Sequence, residues 1–215
     1  MITTILFDLD NTLIDRQHSI RETFKELIQF DHGVFDATIL DDLMLWDHYG
    51  YHDKAYVFEH YTQKYSTHFE NKQAFHSFIV NHQFRHVTLF EDTERTLREL
   101  AQRHTLGIIT NGNSIGQRRK MDQALHGLQD LFEVVLVSGD RNIHKPDRRI
   151  FKEALDILDK RPEEVMYVGD NIEADIYGSR NAGLTPVWIN PYQFESSVDA
   201  MTIHSLSELT LLLDK

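Results

Sequence analysis

Cysteine is absent from the 215 residues of this chain. That excludes disulfides, thiolate nucleophiles, iron–sulfur clusters and thiolate zinc sites, so any metal must be held by oxygen or imidazole. Basic residues are scarce as well: 22 Lys and Arg stand against 34 Asp and Glu, a formal net charge of −12. Binding to a nucleic-acid polymer draws on Lys and Arg to displace condensed counterions, so this balance argues against such a partner, while a local cluster can still hold a small anion. No apolar run approaches the ~20 residues that span a bilayer, and the first residues lack the basic-then-apolar layout of a signal peptide. The expectation is a soluble cytoplasmic protein. With 41% hydrophobic and 26% charged residues, it suits one globular domain or a domain carrying a smaller insertion.

The stretch from Thr3 to Asp15 sets the organisation of the rest. A short apolar run, Ile5-Leu6-Phe7, precedes two carboxylates two residues apart, Asp8 and Asp10, and an Asn-Thr turn. Strand alternation would aim both acids to one side at the strand's C-terminal edge. Buried carboxylates a few ångströms apart repel by roughly 4 kcal/mol at an effective dielectric near 20, so a cation or a shared proton is required, and a divalent metal is the simplest remedy. A polar strand end with ordinary turn chemistry has the same residues, and this stretch alone leaves both readings open.

Ser19-Ile20-Arg21-Glu22 reads as a capping box that starts a helix near Ser19, with Ile20, Phe24, Leu27 and Ile28 at helical spacing. Further helical patterns run through Ile39 to Met44, Phe58 to Phe69 and Phe75 to His82. Residues 16–88 are therefore expected to form a helical insertion, and residues 1–15 with 89–215 an α/β core. In the core, Leu106 to Ile109, Val134 to Val137, Val165 to Val168 and Thr185 to Ile189 read as strands, alternating with helices. A second capping box is expected at Ser114-Ile115-Gly116-Gln117, and a C-cap at Asn181-Ala182-Gly183. This alternation predicts a Rossmann-like parallel sheet with helices on both faces.

Ligands bind beyond the carboxyl ends of such strands. Those ends carry Asp8 and Asp10, then Thr110 and Asn111, then Asp170 and Asp175, with Lys145 at a helix start after the third strand. Each has a bland reading as turn residue, N-cap or solvated charge; all of them being bland together is the less economical account.

Asp8-Leu9-Asp10-Asn11-Thr12, Thr110-Asn111-Gly112, Lys145-Pro146 with Ile150-Phe151, and Gly169-Asp170-Asn171 with Asp175 resemble, in order and spacing, the four motifs of the haloacid dehalogenase superfamily in its phosphatase branch. The insertion falls where this family carries its small helical cap. One departure is Asn11, where many members have Gly; Asn tolerates the same turn.

The resemblance implies an Mg²⁺-dependent phosphomonoester hydrolase acting on a small phosphorylated metabolite, with a nucleoside monophosphate preferred and a sugar phosphate next. Asp8 would be the nucleophile that becomes an aspartyl-phosphate, and Asp10 the general acid and then base. Thr110 and the Asn111 backbone N–H would hold phosphoryl oxygens, and Lys145 would balance charge. Asp8, Asp10 through its backbone carbonyl, and Asp170 would hold Mg²⁺, supported by Asp175. A phosphomutase or a haloacid dehalogenase on the same scaffold are the alternatives, although a dehalogenase needs neither the metal nor Asp10. A non-enzymatic binding protein would be expected to have lost a motif residue. The chain is expected to be a monomer or small homo-oligomer. In the insertion, Trp46, Tyr49, Tyr51, Tyr56 and Phe58 could stack on a flat leaving group, but three- and four-residue spacing more often marks a bundle core. His48, His52, His60, His68 and His82 show no ligand spacing and are read as surface or half-buried.

Overall fold

The computed structural model describes residues 1–213. The chain divides into two compact units, Met1–Asp15 with Leu89–Lys215, and Arg16–Thr88.

The first unit is built on a six-stranded parallel sheet: β1 (Thr4–Phe7), β2 (Thr105–Thr110), β3 (Phe132–Val137), β4 (Val165–Gly169), β5 (Thr185–Ile189) and β6 (Met201–Ile203), in the spatial order β3-β2-β1-β4-β5-β6. Every residue of β1 and β4 is buried, as expected of central parallel strands covered on both faces. β6 has no counterpart in the sequence-based expectation: three residues, two of them exposed, are too short to show a period. Phe7 is in register with Ile108 on β2 and Val168 on β4, so the residues that follow these strands come out at one edge. The strand order reverses between β1 and β4, the place where such sheets open a crevice.

The helices of this unit are α5 (Thr93–Leu100), α6 (Ser114–Ala124), the single turn α7 (Ser138–Arg141), α8 (Arg148–Leu158), the single turn α9 (Gly178–Asn181) and α10 (Glu208–Leu213). Asp147 caps α8 by accepting from the Arg149 N–H, and Ile150, Phe151, Ala154 and Leu155 form its buried stripe. That stripe packs with Leu6, Ile109, Leu136 and Tyr167 of the sheet. The capping box expected at Ser114 is displaced by one residue: Asn113 is the cap and accepts from the Gly116 N–H, which leaves the Gln117 side chain for other partners. No helix among the described residues is long and apolar enough to cross a membrane.

The second unit holds α1 (Arg16–His32), α2 (Ala37–Asp47), α3 (Lys54–Lys64) and α4 (Lys72–Gln83) around a core of Phe24, Leu27, Leu43, Tyr61, Phe75 and Ile79, among others. α1 begins at Arg16, three residues before the expected cap. Ser19 is buried inside it and donates to the His86 carbonyl at 3.1 Å, so it does not cap. Arg16 is fixed by a distant partner, the buried Asp47, through two bonds of 2.8 and 3.0 Å; Lys54 also contacts Asp47. α3 stops at Lys64 because Tyr65 turns extended, and Phe69 reaches the core from the following loop.

The aromatics divide. Trp46 and Phe58 pack on the bundle core. Tyr51 and Tyr56 are exposed, and the rings of His48, His52, Tyr56 and His60 follow one another with centroids 5.1, 4.3 and 4.0 Å apart. Of these, only Tyr56 and His60 stand on one helix, α3, four residues apart and so on one face; His48 and His52 lie in the turns before it.

Candidate active site

The carboxyl edge of the sheet gathers the motif residues around Lys145, whose side chain is 2% exposed. Its Nζ donates to Asp8 Oδ1 at 2.5 Å, Asp175 Oδ1 at 2.7 Å and the Tyr167 hydroxyl at 2.8 Å. The backbone of Lys145 is gripped in turn by Asn111: the Lys145 N–H donates to Asn111 Oδ1 at 2.9 Å, and Asn111 Nδ2 donates to the Lys145 carbonyl at 3.0 Å. The Asn111 side chain is thus spent on aiming the ammonium.

Carboxylate oxygens of Asp8, Asp170 and Asp175 lie within 4.8 Å of one another. Asp175 sits on a π-helical turn, Ile172–Tyr177, and its second oxygen accepts the Asn171 N–H at 3.0 Å. Such turns widen a helix to re-aim a side chain and recur at functional sites. A Cβ on Gly169 would meet the Asp175 carboxyl at 2.4 Å, so the acid can approach β4 only over a glycine. Asp170 is held by its carbonyl, which accepts from the Trp188 indole at 2.8 Å. Asn11 occupies the left-handed region at φ 57° and lies with its amide 3.4 Å from an Asp170 oxygen.

The electrostatics follow from crowding three acids out of water. Burial pushes the Asp8 carboxyl up to about 7; Lys145 opposes this, and Asp175 and Asp10 add to it. Asp170 is raised by burial and then by Asp8 and Asp175. Lys145 would be lowered by burial, but the adjoining Asp175 and Asp8 outweigh it and hold the ammonium charged. Three carboxylates and one ammonium leave two uncompensated negative charges when all are ionised. A divalent cation held by hard oxygens fits that deficit and donor set.

The family pattern of haloacid dehalogenase-like hydrolases matches residues 5–189. The chain belongs to this family. A glyceraldehyde 3-phosphate phosphatase from Pyrococcus furiosus is 33% identical over 195 residues, which cover 87% of this chain and 80% of that one. An N-acylneuraminate-9-phosphatase from Rattus norvegicus is 29% identical over 221 residues, covering 88% and 83%. Among solved structures, the HAD-hydrolase YfnB from Bacillus subtilis, bound to magnesium, shares the fold with a TM-score of 0.83 at 23% identity, over 100% of this chain and 99% of that one. Relatives spanning most of this hydrolase are therefore phosphatases, and phosphatases of the family generally use a divalent metal.

Not every motif acid of this HAD-like hydrolase joins the metal-type cluster. The Asp10 carboxylate accepts from Lys120 Nζ at 2.8 and 2.7 Å and from Gln117 Nε2 at 3.0 Å. Gln117 Nε2 also lies 2.6 Å from Thr110 Oγ1 and 3.1 Å from the Asn111 carbonyl. Three residues here escaped sequence reasoning: Gln117, Lys120 and Tyr167. Gln117 reads in sequence as the last residue of a capping box, Lys120 as a solvated charge on a helix, and Tyr167 as one more apolar strand residue. The three-residue spacing of Gln117 and Lys120, just after a motif-bearing strand end, is the signal that could have found two of them.

Proposed function

We propose that this protein hydrolyses phosphomonoesters of small metabolites through a covalent phosphate on Asp8, with Mg²⁺ as its metal. The observation that carries this reading is the buried cluster of Asp8, Asp170 and Asp175 around Lys145, short of two positive charges. Asp8, Asp170 and the Asp10 carbonyl would hold the ion, with Asp175 fixing the set through Lys145 and the Asn171 N–H. When bound, Mg²⁺ supplies positive charge that offsets the nucleophile and the phosphoryl oxygens.

The ionised Asp8 oxygen attacks phosphorus in line, and Asp10 gives its proton to the departing oxygen. Thr110, whose hydroxyl is fixed by Gln117, and the Asn111 backbone N–H hold phosphoryl oxygens, while Lys145 stabilises the charge that gathers beside Asp8. Water then attacks the aspartyl-phosphate as Asp10 takes its proton, which returns both acids to their starting forms. The helical unit acts as the cap that discriminates among leaving groups.

For the leaving group, the row of rings from His48 to His60, exposed at His48 and Tyr56 and half-buried at His52 and His60, favours a nucleoside monophosphate, since every base offers a face for stacking. A sugar phosphate is the second reading, favoured by the relatives that share most of the chain's length.

Phosphate release from a panel of nucleotides, sugar phosphates and an aryl phosphate tests the proposal. Turnover is expected to vanish with chelator and with Asp8→Asn, and to return with Mg²⁺. Full activity in chelator would sink the metal assignment, and halide release from a 2-haloacid without metal would favour the dehalogenase instead.

A further inference from the structure

Two side chains of one helix hold the Asp10 carboxylate. Both oxygens are taken by Lys120 Nζ, at 2.8 and 2.7 Å, and Oδ2 also by Gln117 Nε2 at 3.0 Å. Lys120 and Gln117 are three residues apart on α6, hence on one face. Gln117 is 4% exposed, and the Lys120 side chain 12%. An exposed ion pair would contribute little, but this ammonium is drawn largely out of water to reach its partner, which a surface charge has no reason to do. Through Gln117, the same grip reaches Thr110 on the neighbouring strand.

A carboxyl group rotates easily about its last torsion, so an acid standing alone leaves the direction of its oxygens unspecified. A group that must hand a proton to one particular oxygen needs that direction fixed. We infer that Lys120, with Gln117 beside it, is the positioning residue of Asp10: the pair sets the plane of the carboxyl and receives the carboxylate left behind when the leaving group departs. The inference rests on the acid–base role proposed above for Asp10.

In the first step the bond from Asp8 Oδ to phosphorus forms, the phosphorus bond to the leaving oxygen breaks, and the Asp10 proton goes to that oxygen. Asp10 is then a carboxylate, the form held here by Lys120 and Gln117. In the second step a water oxygen bonds to phosphorus, the Asp8 bond breaks, and the water proton returns to Asp10. The sum is phosphomonoester plus water giving alcohol plus phosphate, with no other reactant.

The test compares two substrates of matched size at saturating Mg²⁺. p-Nitrophenyl phosphate loses an oxygen that departs unaided, whereas benzyl phosphate loses an alkoxide that needs a proton. General acid catalysis contributes on the order of 10²- to 10⁴-fold, so Lys120→Met is expected to lower the benzyl-to-nitrophenyl ratio of kcat/KM by about tenfold or more. Lys120→Arg should restore much of that ratio, and Gln117→Leu should move it the same way by less. Thermal melting identifies a variant that fails to fold, in which case the remaining variants decide. Equal depression of both substrates by Lys120→Met, or no change, while Asp10→Asn lowers the ratio, would overturn the inference and leave the acid–base role standing. An unchanged ratio in Asp10→Asn would remove that role and the inference with it.

Discussion

Replacing Asp8, the proposed nucleophile, by Asn is expected to stabilise the metal-free protein while removing its turnover. Burial raises the Asp8 carboxyl from its ordinary 3.8 to about 7. Between those two values the folded protein binds more protons than the unfolded chain, so the Asp8 contribution to stability falls as pH rises from about 4 to about 7. The full difference corresponds to about 4 kcal/mol. Asp170 and Asp175 remain crowded in the variant, and a neutral amide is a weaker acceptor for Lys145. A net gain of about 2 kcal/mol at pH 8 is therefore expected, which for a chain of this size is a rise of about 4–8 °C in Tm. The assay is thermal unfolding of both proteins in chelator from pH 4 to pH 8: the gap should open with rising pH and be nearly closed at pH 4. A variant no more stable than the parent at pH 8, or a gap that ignores pH, would refute the electrostatic account of the cluster.

In the helical unit, burial alone would raise Asp47, but Arg16 and Lys54 hold it down to about 2. An acid depressed in the fold contributes stability above its unfolded value of 3.8 that is lost as pH falls through about 2, and here the contribution is about 2–3 kcal/mol. Urea unfolding of Asp47→Asn should show at least that loss at pH 7 and a smaller one at pH 3; equal midpoints at pH 7 would contradict it. Tyr56→Ala and His60→Ala are expected to reorder a panel of phosphomonoesters by several-fold with little effect on the aryl phosphate, whereas Thr110→Ala and Lys145→Ala should depress every substrate by tenfold or more. A ranking unchanged by both ring substitutions would leave the ladder without a role in selection.

The sheet was legible because central parallel strands, buried on both faces, write continuous apolar runs: Ile5-Leu6-Phe7 and Val165 to Val168 need little else to be read. Asp8 and Asp170 were legible because they stand at the ends of such runs, with Asp10 and Asp175 two and five residues further on. What sequence concealed depends on long-range partners. Arg16 opens α1 through Asp47, thirty-one residues away, and no local rule anticipates that. Gln117 and Lys120 have the composition of any solvated helix, and only the position of α6 beside the end of β1 makes them part of the site. The row of His48, His52, Tyr56 and His60 is written in plain four-residue spacing although only Tyr56 and His60 share a helix, and aromatics so spaced suggest a core first, which for Trp46 and Phe58 is correct.

The two stretches of chain that lead out to the helical unit and back are fastened together inside the core. Ile14 and Leu89 form an antiparallel bridge, the Phe90 N–H donates to the Leu13 carbonyl at 3.2 Å, and the Thr93 hydroxyl reaches the same carbonyl at 3.3 Å. The opening in the core is closed by its own residues, and the entropy of closing a longer excursion grows only slowly with its length. The junction therefore works as a socket. A lineage can exchange whatever is plugged in at residues 16–88 while the sheet and the buried cluster at its edge stay as they were.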